Sequence, residues 1–306
     1  MIRLKSKVQY KNFEQGEYVS EKLRSFDETL ELIGTFPWKE QREDIHIDFT
    51  NPGIVVESEN GIYLQIALYY NQKFVLRYFN GKQKLYTRSL NRLQDSYDVI
   101  REFYKSDNLD LSLFKKEISW VMPSYKVFKT KSFEYELNKA VIFEHVLKTS
   151  LGRLIGLVVI LCFIANNDVS HLNWSVKLLL SVIIFSIFGG LNLLLLLDHF
   201  FYFKNKKLKL SKGNDTFYFG VKNDLKSYEK QNIKEYLIYN PQFGAGRNLK
   251  PNIRLFIIIM DNGDEVIIPN IFFSEWDIKN KLNFMQPVYV YRLPFIPAEE
   301  GLKNQN

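Results

Sequence analysis

The sequence predicts an α+β protein interrupted by the membrane. An N-terminal antiparallel sheet with packing helices comes first, then a two-helix transmembrane hairpin, then a second group of strands closed by one helix. Three observations predict this order. Leu178 to Leu197 reads LLLSVIIFSIFGGLNLLLLL without a charge, and at about 1.5 Å per residue it is long enough for a hydrocarbon core of roughly 30 Å. Asn60-Gly61 and Asn80-Gly81 punctuate alternating segments in the first third, and such pairs supply the positive φ that tight hairpins need. Near the other end Ser274 and Asp277 stand three apart before an apolar-periodic stretch, the pattern that caps a helix from both sides.

The first domain is expected over residues 1–119. Val19, Leu23, Phe26, Leu30 and Ile33 fall three or four apart from Glu17 onward, so a helix is predicted there, stopped by Gly34 and Pro37. Ile45 to Phe49, Ile54 to Glu57, Ile62 to Tyr70, Lys73 to Phe79 and Lys84 to Ser89 alternate as strands. Leu93, Tyr97, Ile100 and Tyr104 then mark a second amphipathic helix, from Arg92 to Lys105. The expected order is helix, about five strands, helix.

Residues 120–150 read as a basic, aromatic connector broken by Pro123 and followed by a juxtamembrane helix from Phe133 to Lys148. The hairpin is expected over residues 151–198. Its first run, Leu154 to Ala165, is short for a span and gains plausibility from its strong neighbour. Lys139, Lys148 and Arg153 precede the first run, and Lys204, Lys206, Lys207, Lys209 and Lys212 follow the second. That excess places both termini in the cytosol of a multi-pass protein of the bacterial inner membrane. The same five lysines are candidate contacts for anionic lipid.

Beyond the hairpin a domain is expected over residues 199–290, with a tail over 291–306. Phe200 to Leu210, Thr216 to Val221, Tyr236 to Tyr239, Ile253 to Met260 and Glu265 to Ile268 read as strands, and the terminal helix would turn Trp276, Ile278, Leu282 and Met285 toward a core. With its strand order, the segment Tyr228 to Ile233, the Asp261-Asn262-Gly263 turn and the terminal helix, the stretch from Phe200 to Gln286 resembles bacterial pleckstrin-homology (PH)-like domains. The resemblance implies a small PH-like β-barrel with a closing helix, serving as a binding or scaffolding module. It does not imply phosphoinositide binding.

The stretch from Asp48 to Phe103 resembles small immunity-type domains of bacterial toxin–immunity systems. That resemblance implies a protein neutralising an envelope-acting toxin; the alternative is a PH-like envelope scaffold docking a cytosolic protein or anionic lipid. Partners under either reading are membrane lipids and a protein, with no nucleic acid and no small-molecule substrate. The net charge of +7 is modest, and the lysines after the hairpin account for much of it. Neither an enzyme nor a cofactor is expected. Asp44, His46 and Asp48 alternate on one strand and could hold a metal, but they read more simply as the solvated side opposite Ile45, Ile47 and Phe49. Phe243 to Asn248 lacks the Gly-Lys-Ser/Thr ending of a phosphate loop and reads as a hairpin connection. The single cysteine, Cys162, excludes an intramolecular disulfide.

Overall fold

The computed structural model describes residues 2–42, 51–81, 84–106, 108–117, 128–138, 140, 173, 175–176, 179, 191–240 and 253–296. The chain divides into two compact units. One comprises residues 1–133 with 211–214, the other residues 134–210 with 215–306.

Among the described residues the first unit is a seven-stranded sheet with helices on one face. Its strands are β1 (Leu4–Gln9), β2 (Val19–Arg24), β3 (Gly53–Glu57), β4 (Tyr63–Leu68), β5 (Phe74–Phe79), β6 (Leu85–Leu90) and β7 (Lys115–Lys116). They lie in the order β2-β1-β3-β4-β5-β6-β7, every neighbouring pair antiparallel. The meander from β3 to β6 stands where the turn dipeptides put it. Gly61 and Gly81 adopt φ of +69° and +73°, conformations in which glycine carries no Cβ penalty.

The N-terminal end departs from the expected order. Val19 to Arg24 is an edge strand rather than the start of a helix, and Leu4–Gln9 adds a strand the sequence reading lacked. Helix α1 (Phe26–Thr35) begins only after Ser25, whose hydroxyl accepts from Glu28 N–H at 3.3 Å while Ser25 N–H donates to Glu28 Oε2 at 2.6 Å. This reciprocal cap fixes the start, because it satisfies donors that a continuous helix would have paired internally. The expected strand Ile45 to Phe49 lies outside the described residues.

Helices α1 and α2 (Tyr97–Lys105) bury Ile33, Ile100 and Phe103 against Ile54, Val56, Leu64, Ile66, Leu76 and Tyr78 of the sheet. Each such side chain contributes about 1.5–3 kcal/mol when fully removed from water. A buried hydroxyl pair ties the helices together, Thr29 Oγ1 to Tyr104 OH at 2.6 Å, and Tyr104 OH also donates to the Arg24 carbonyl at 3.2 Å. The sheet's other face is buried too, by Tyr18 and Phe128 over Val55, Tyr63, Phe79 and Leu85. β4 and β5 are therefore buried on both sides, and on this second face Arg77 donates to Gln65 Oε1 at 3.0 Å.

The second unit holds β8 (Glu134–Glu136), helix α3 (Leu191–Phe203), β9 (Lys206–Lys209), β10 (Thr216–Val221), β11 (Asp224–Glu229), β12 (Ile233–Tyr239), β13 (Leu255–Met260), β14 (Glu265–Pro269), helix α4 (Glu275–Lys281) and β15 (Val288–Val290). Among the described residues its strands form two four-stranded sheets, β11-β10-β9-β8 and β14-β13-β12-β15, rather than one closed barrel. All neighbours are antiparallel except β12 and β15. Leu208, Phe217 and Phe219 of the first sheet share a core with Tyr236, Ile238, Phe256, Ile258, Val266 and Ile268 of the second, closed by Phe203 of α3 and Ile278 and Leu282 of α4.

The transmembrane hairpin over residues 151–198, and with it the multi-pass inner-membrane placement, is overturned. Among the described residues no helix is long and apolar enough to cross a membrane. The end of the second apolar run belongs to α3, which covers 13 of the described residues, about 20 Å of helix. Its Leu195, His199 and Phe203 are fully buried against protein. The first run and residues 180–190 lie outside the described residues.

Three local expectations also change. The helix predicted from Phe133 is strand over Glu134–Glu136, where Tyr135 pairs with Leu208 and packs into the shared core. The strand predicted from Phe200 is helix as far as Phe203, since Phe203 fills the core from α3. Ser274 caps α4 as expected, with Asp277 N–H to Ser274 Oγ at 3.1 Å and Ser274 N–H to Asp277 Oδ2 at 2.9 Å. Trp276, however, is 72% exposed instead of facing the core.

Candidate docking site

The five lysines after α3 do not form one basic patch. Lys207 and Lys209 share the outer face of β9, because β-strand side chains alternate and Leu208 between them points into the core. β8 pairs with β9 so that Glu134 stands opposite Lys209 and Glu136 opposite Lys207. Lys207 Nζ lies 2.8 Å from Glu134 Oε2, and Lys209 Nζ lies 3.9 Å from Glu134 Oε1. Glu136 is bound by Lys222 at 2.8 Å. Hydrogen bonding to Glu134 raises the Lys207 pKa, and hydrogen bonding from Lys222 lowers that of Glu136. The face is thus a lattice of alternating charges that compensates its own lysines.

Lys204 and Lys206 sit against aromatic rings instead. Lys204 ends α3 with its N–H on the Phe200 carbonyl at 2.9 Å, and its ammonium lies 5.6 Å from the Phe201 ring centre. The Lys206 ammonium stands 3.2 Å from the centre of the Tyr202 ring, a cation–π geometry. Lys212 falls in the four-residue segment grouped with the first unit, where its N–H donates to Glu14 Oε1 at 3.1 Å. Beside it Gly213 and Asn214 donate their N–H groups to the buried Glu17 carboxylate. Of the five candidates, the structure brings Lys207 and Lys209 together over Glu134 and puts Lys212 elsewhere.

Sequence reasoning missed the groups that define this unit's polar contacts. Glu134 and Glu136 were hidden in an expected helix, although Glu-Tyr-Glu flanked by Phe133 and Leu137 alternates as a strand does. On α4, Glu275 accepts from Lys279 at 2.7 Å and from Tyr289 OH at 2.5 Å, and pairs with Arg254 as well. It thereby joins the helix to β15 and to the approach of β13.

Helix α3 is fastened through adjacent polar residues. Asp198 Oδ2 accepts the Ile296 N–H at 2.8 Å, and His199 Nε2 lies 2.7 Å from the Pro294 carbonyl oxygen. A carbonyl only accepts, so Nε2 carries the proton and Nδ1 is the bare nitrogen. That Nδ1 is buried without a hydrogen-bond partner among the described residues. Burial lowers the His199 pKa, opposed by the bond to Pro294 and by Asp198.

Among the described residues no group of three or more His, Cys, Asp or Glu side chains is placed to hold a metal. Asp44, His46 and Asp48, the Phe243 to Asn248 loop and Cys162 lie outside the described residues.

Residues 133–281, just under half of the chain, match the family model of a PH domain. The match runs from the start of β8 to the end of α4, taking in the first sheet, the second sheet apart from β15, and the closing helix, as well as most of the stretch that carried the resemblance. The C-terminal part of the chain is PH-like. PH domains are typically non-catalytic modules that bind lipids or proteins. No curated protein and no solved structure matches the chain.

Proposed function

We propose that this chain is a non-enzymatic docking protein whose PH-like unit engages a lipid or protein partner. The observation that carries the reading is the PH-domain match over residues 133–281, coincident with two sheets and a closing helix around one core. The charge-compensated outer face of the first sheet supports a scaffold more than an open anion cradle, since Glu134 already occupies Lys207 and Lys209. A protein partner under this reading includes the envelope-acting toxin implied by the N-terminal resemblance, and co-purification with the product of a neighbouring toxin gene would identify it.

The test places a photo-crosslinking residue, one position at a time, at the exposed Phe201, Tyr218 and Trp276 of the second unit and at the exposed Leu23 and Leu113 of the first. Saturable crosslinks to one lipid class or one protein are expected from the second unit. Crosslinks confined to the first unit, or none from any second-unit position, would remove the reading.

A further inference from the structure

Helix α3 has two sides of opposite character. Leu195, His199 and Phe203 recur every four residues and are fully buried. Leu194, Leu197 and Phe201 recur at three and four and are 58%, 41% and 62% exposed. At 100° per residue these two rows lie on opposite sides of the helix. The exposed row contains no polar group, and the next position in the same row is Lys204, three residues on. From Leu194 to Lys204 the row is about 15 Å long. Helical apolar faces of this kind are ordinarily turned to a core, yet here the core side is the other one.

We infer that the exposed face of α3 is a docking surface for an anionic lipid surface, with Leu194, Leu197 and Phe201 entering the acyl boundary and Lys204 meeting the headgroups. The contact is made by one helix face, the opposite face being held on protein. Charge supports this occupant. Lys204 makes no ion pair with any described residue, and its ammonium sits beside the exposed Phe201 ring, where a long side chain can lie along apolar surface and keep its head in water. The one acid on α3, Asp198, turns its Oδ2 to the Ile296 N–H at 2.8 Å. A row of aliphatic and aromatic groups one helix wide, ended by a cation, also suits a fluid apolar surface, which needs no matching shape. The proposal rests on the docking reading above and names the partner of one of its surfaces.

The experiment is flotation of the full chain with vesicles of phosphatidylcholine containing phosphatidylglycerol, and with vesicles of phosphatidylcholine alone. The wild type is expected to float with the anionic vesicles. Replacing Leu194, Leu197 and Phe201 together by Ser should lower the vesicle-bound fraction by about tenfold or more. Lys204→Gln should reduce the preference for anionic vesicles by about fivefold. Because the triple variant alters exposed positions, its circular dichroism should match the wild type; if it does not fold, Phe201→Ser alone is used and should still lower the bound fraction severalfold. Unchanged flotation of the folded variants overturns the proposal. So does a wild-type dimer that the variants convert to monomer without altering flotation, since the face would then belong to a second copy. If flotation is unaffected while photo-crosslinks from the second unit to a protein persist, only the lipid assignment falls; loss of both removes the docking reading as well.

Discussion

Acid should loosen the second unit through His199. Its imidazole is fully buried, with Nε2–H on the Pro294 carbonyl and Nδ1 without a partner among the described residues. Protonation would put a second N–H into a place with no acceptor, which is why burial holds the folded pKa below the usual histidine value near 6.5. Below about pH 6.5 the unfolded chain therefore takes up a proton that the folded chain does not, and stability falls as pH falls until the folded pKa is reached. At full difference the slope is about 1.4 kcal/mol per pH unit. With an m-value of about 1–3 kcal/mol per M of urea, that moves the unfolding midpoint by roughly 0.5–1.4 M per unit. His199→Gln keeps a donor for Pro294 but cannot titrate, so the comparison is between urea midpoints of wild type and variant from neutral to mildly acidic pH. The other three histidines, His46, His145 and His171, are present in both proteins and cancel in the difference. The wild-type midpoint is expected to fall more steeply. Parallel lines for the two proteins, or a wild type that gains stability in acid, would refute the argument.

Removing the hydroxyl of Tyr104 by Tyr104→Phe strands the buried Thr29 hydroxyl and the Arg24 carbonyl, and should cost about 1–3 kcal/mol in urea unfolding; adding Thr29→Val should recover part of the loss, and no recovery would count against the hydroxyl pair. Lys7 is buried beside Glu57 at 3.3 Å, with burial the main cause of its lowered pKa, whereas Glu57 is partly exposed and also takes the Tyr63 hydroxyl. Lys7→Met should therefore change stability by less than about 1 kcal/mol, and Glu57→Gln, which leaves the ammonium buried, should cost on the order of 2–4 kcal/mol; the reverse order would sink this asymmetry. Trp276→Ser should shift stability by less than about 0.5 kcal/mol, against about 2–5 kcal/mol for Ile278→Ala in the core, and thermal melts of both variants decide whether Trp276 is a surface residue.

What could be read from the sequence followed the range of the forces involved. The β3 to β6 meander was legible because its turns are local: glycines hold positive φ at residues 61 and 81, and Asn71 and Gln72 do so between β4 and β5. The capped start of α4 was legible for the same reason. β1 was not, because LKSKVQ looks like solvated alternation until Lys7 finds Glu57, fifty residues away in the chain. α1 was placed too early because Val19, Leu23 and Phe26 match a helical spacing by coincidence; the Ser25–Glu28 box was in plain view and is the signal that would have corrected it. Trp276 could also have been excluded from the core beforehand. On a helix it lies 200° from Ile278, at 100° per residue, so one face cannot hold both.

The apolar run misled for a deeper reason. A hydropathy window sums side chains without asking which side of the helix each occupies, and Asp198-His199 then reads as the polar flank where a span stops. In the structure that pair does not end the helix; it is the place where α3 is fastened to Pro294 and Ile296. Two attachments on consecutive residues, with Leu195 and Phe203 buried one turn to either side, fix the rotation of the helix as well as its position. Rotation so fixed decides which leucines are core and which are surface, and it turns Leu194, Leu197 and Phe201 outward together. A stripe aimed at the outside by a buried histidine and a bound aspartate is a consequence of how the helix is held, and that is why the lipid contact can be tested separately from the stability of the unit that presents it.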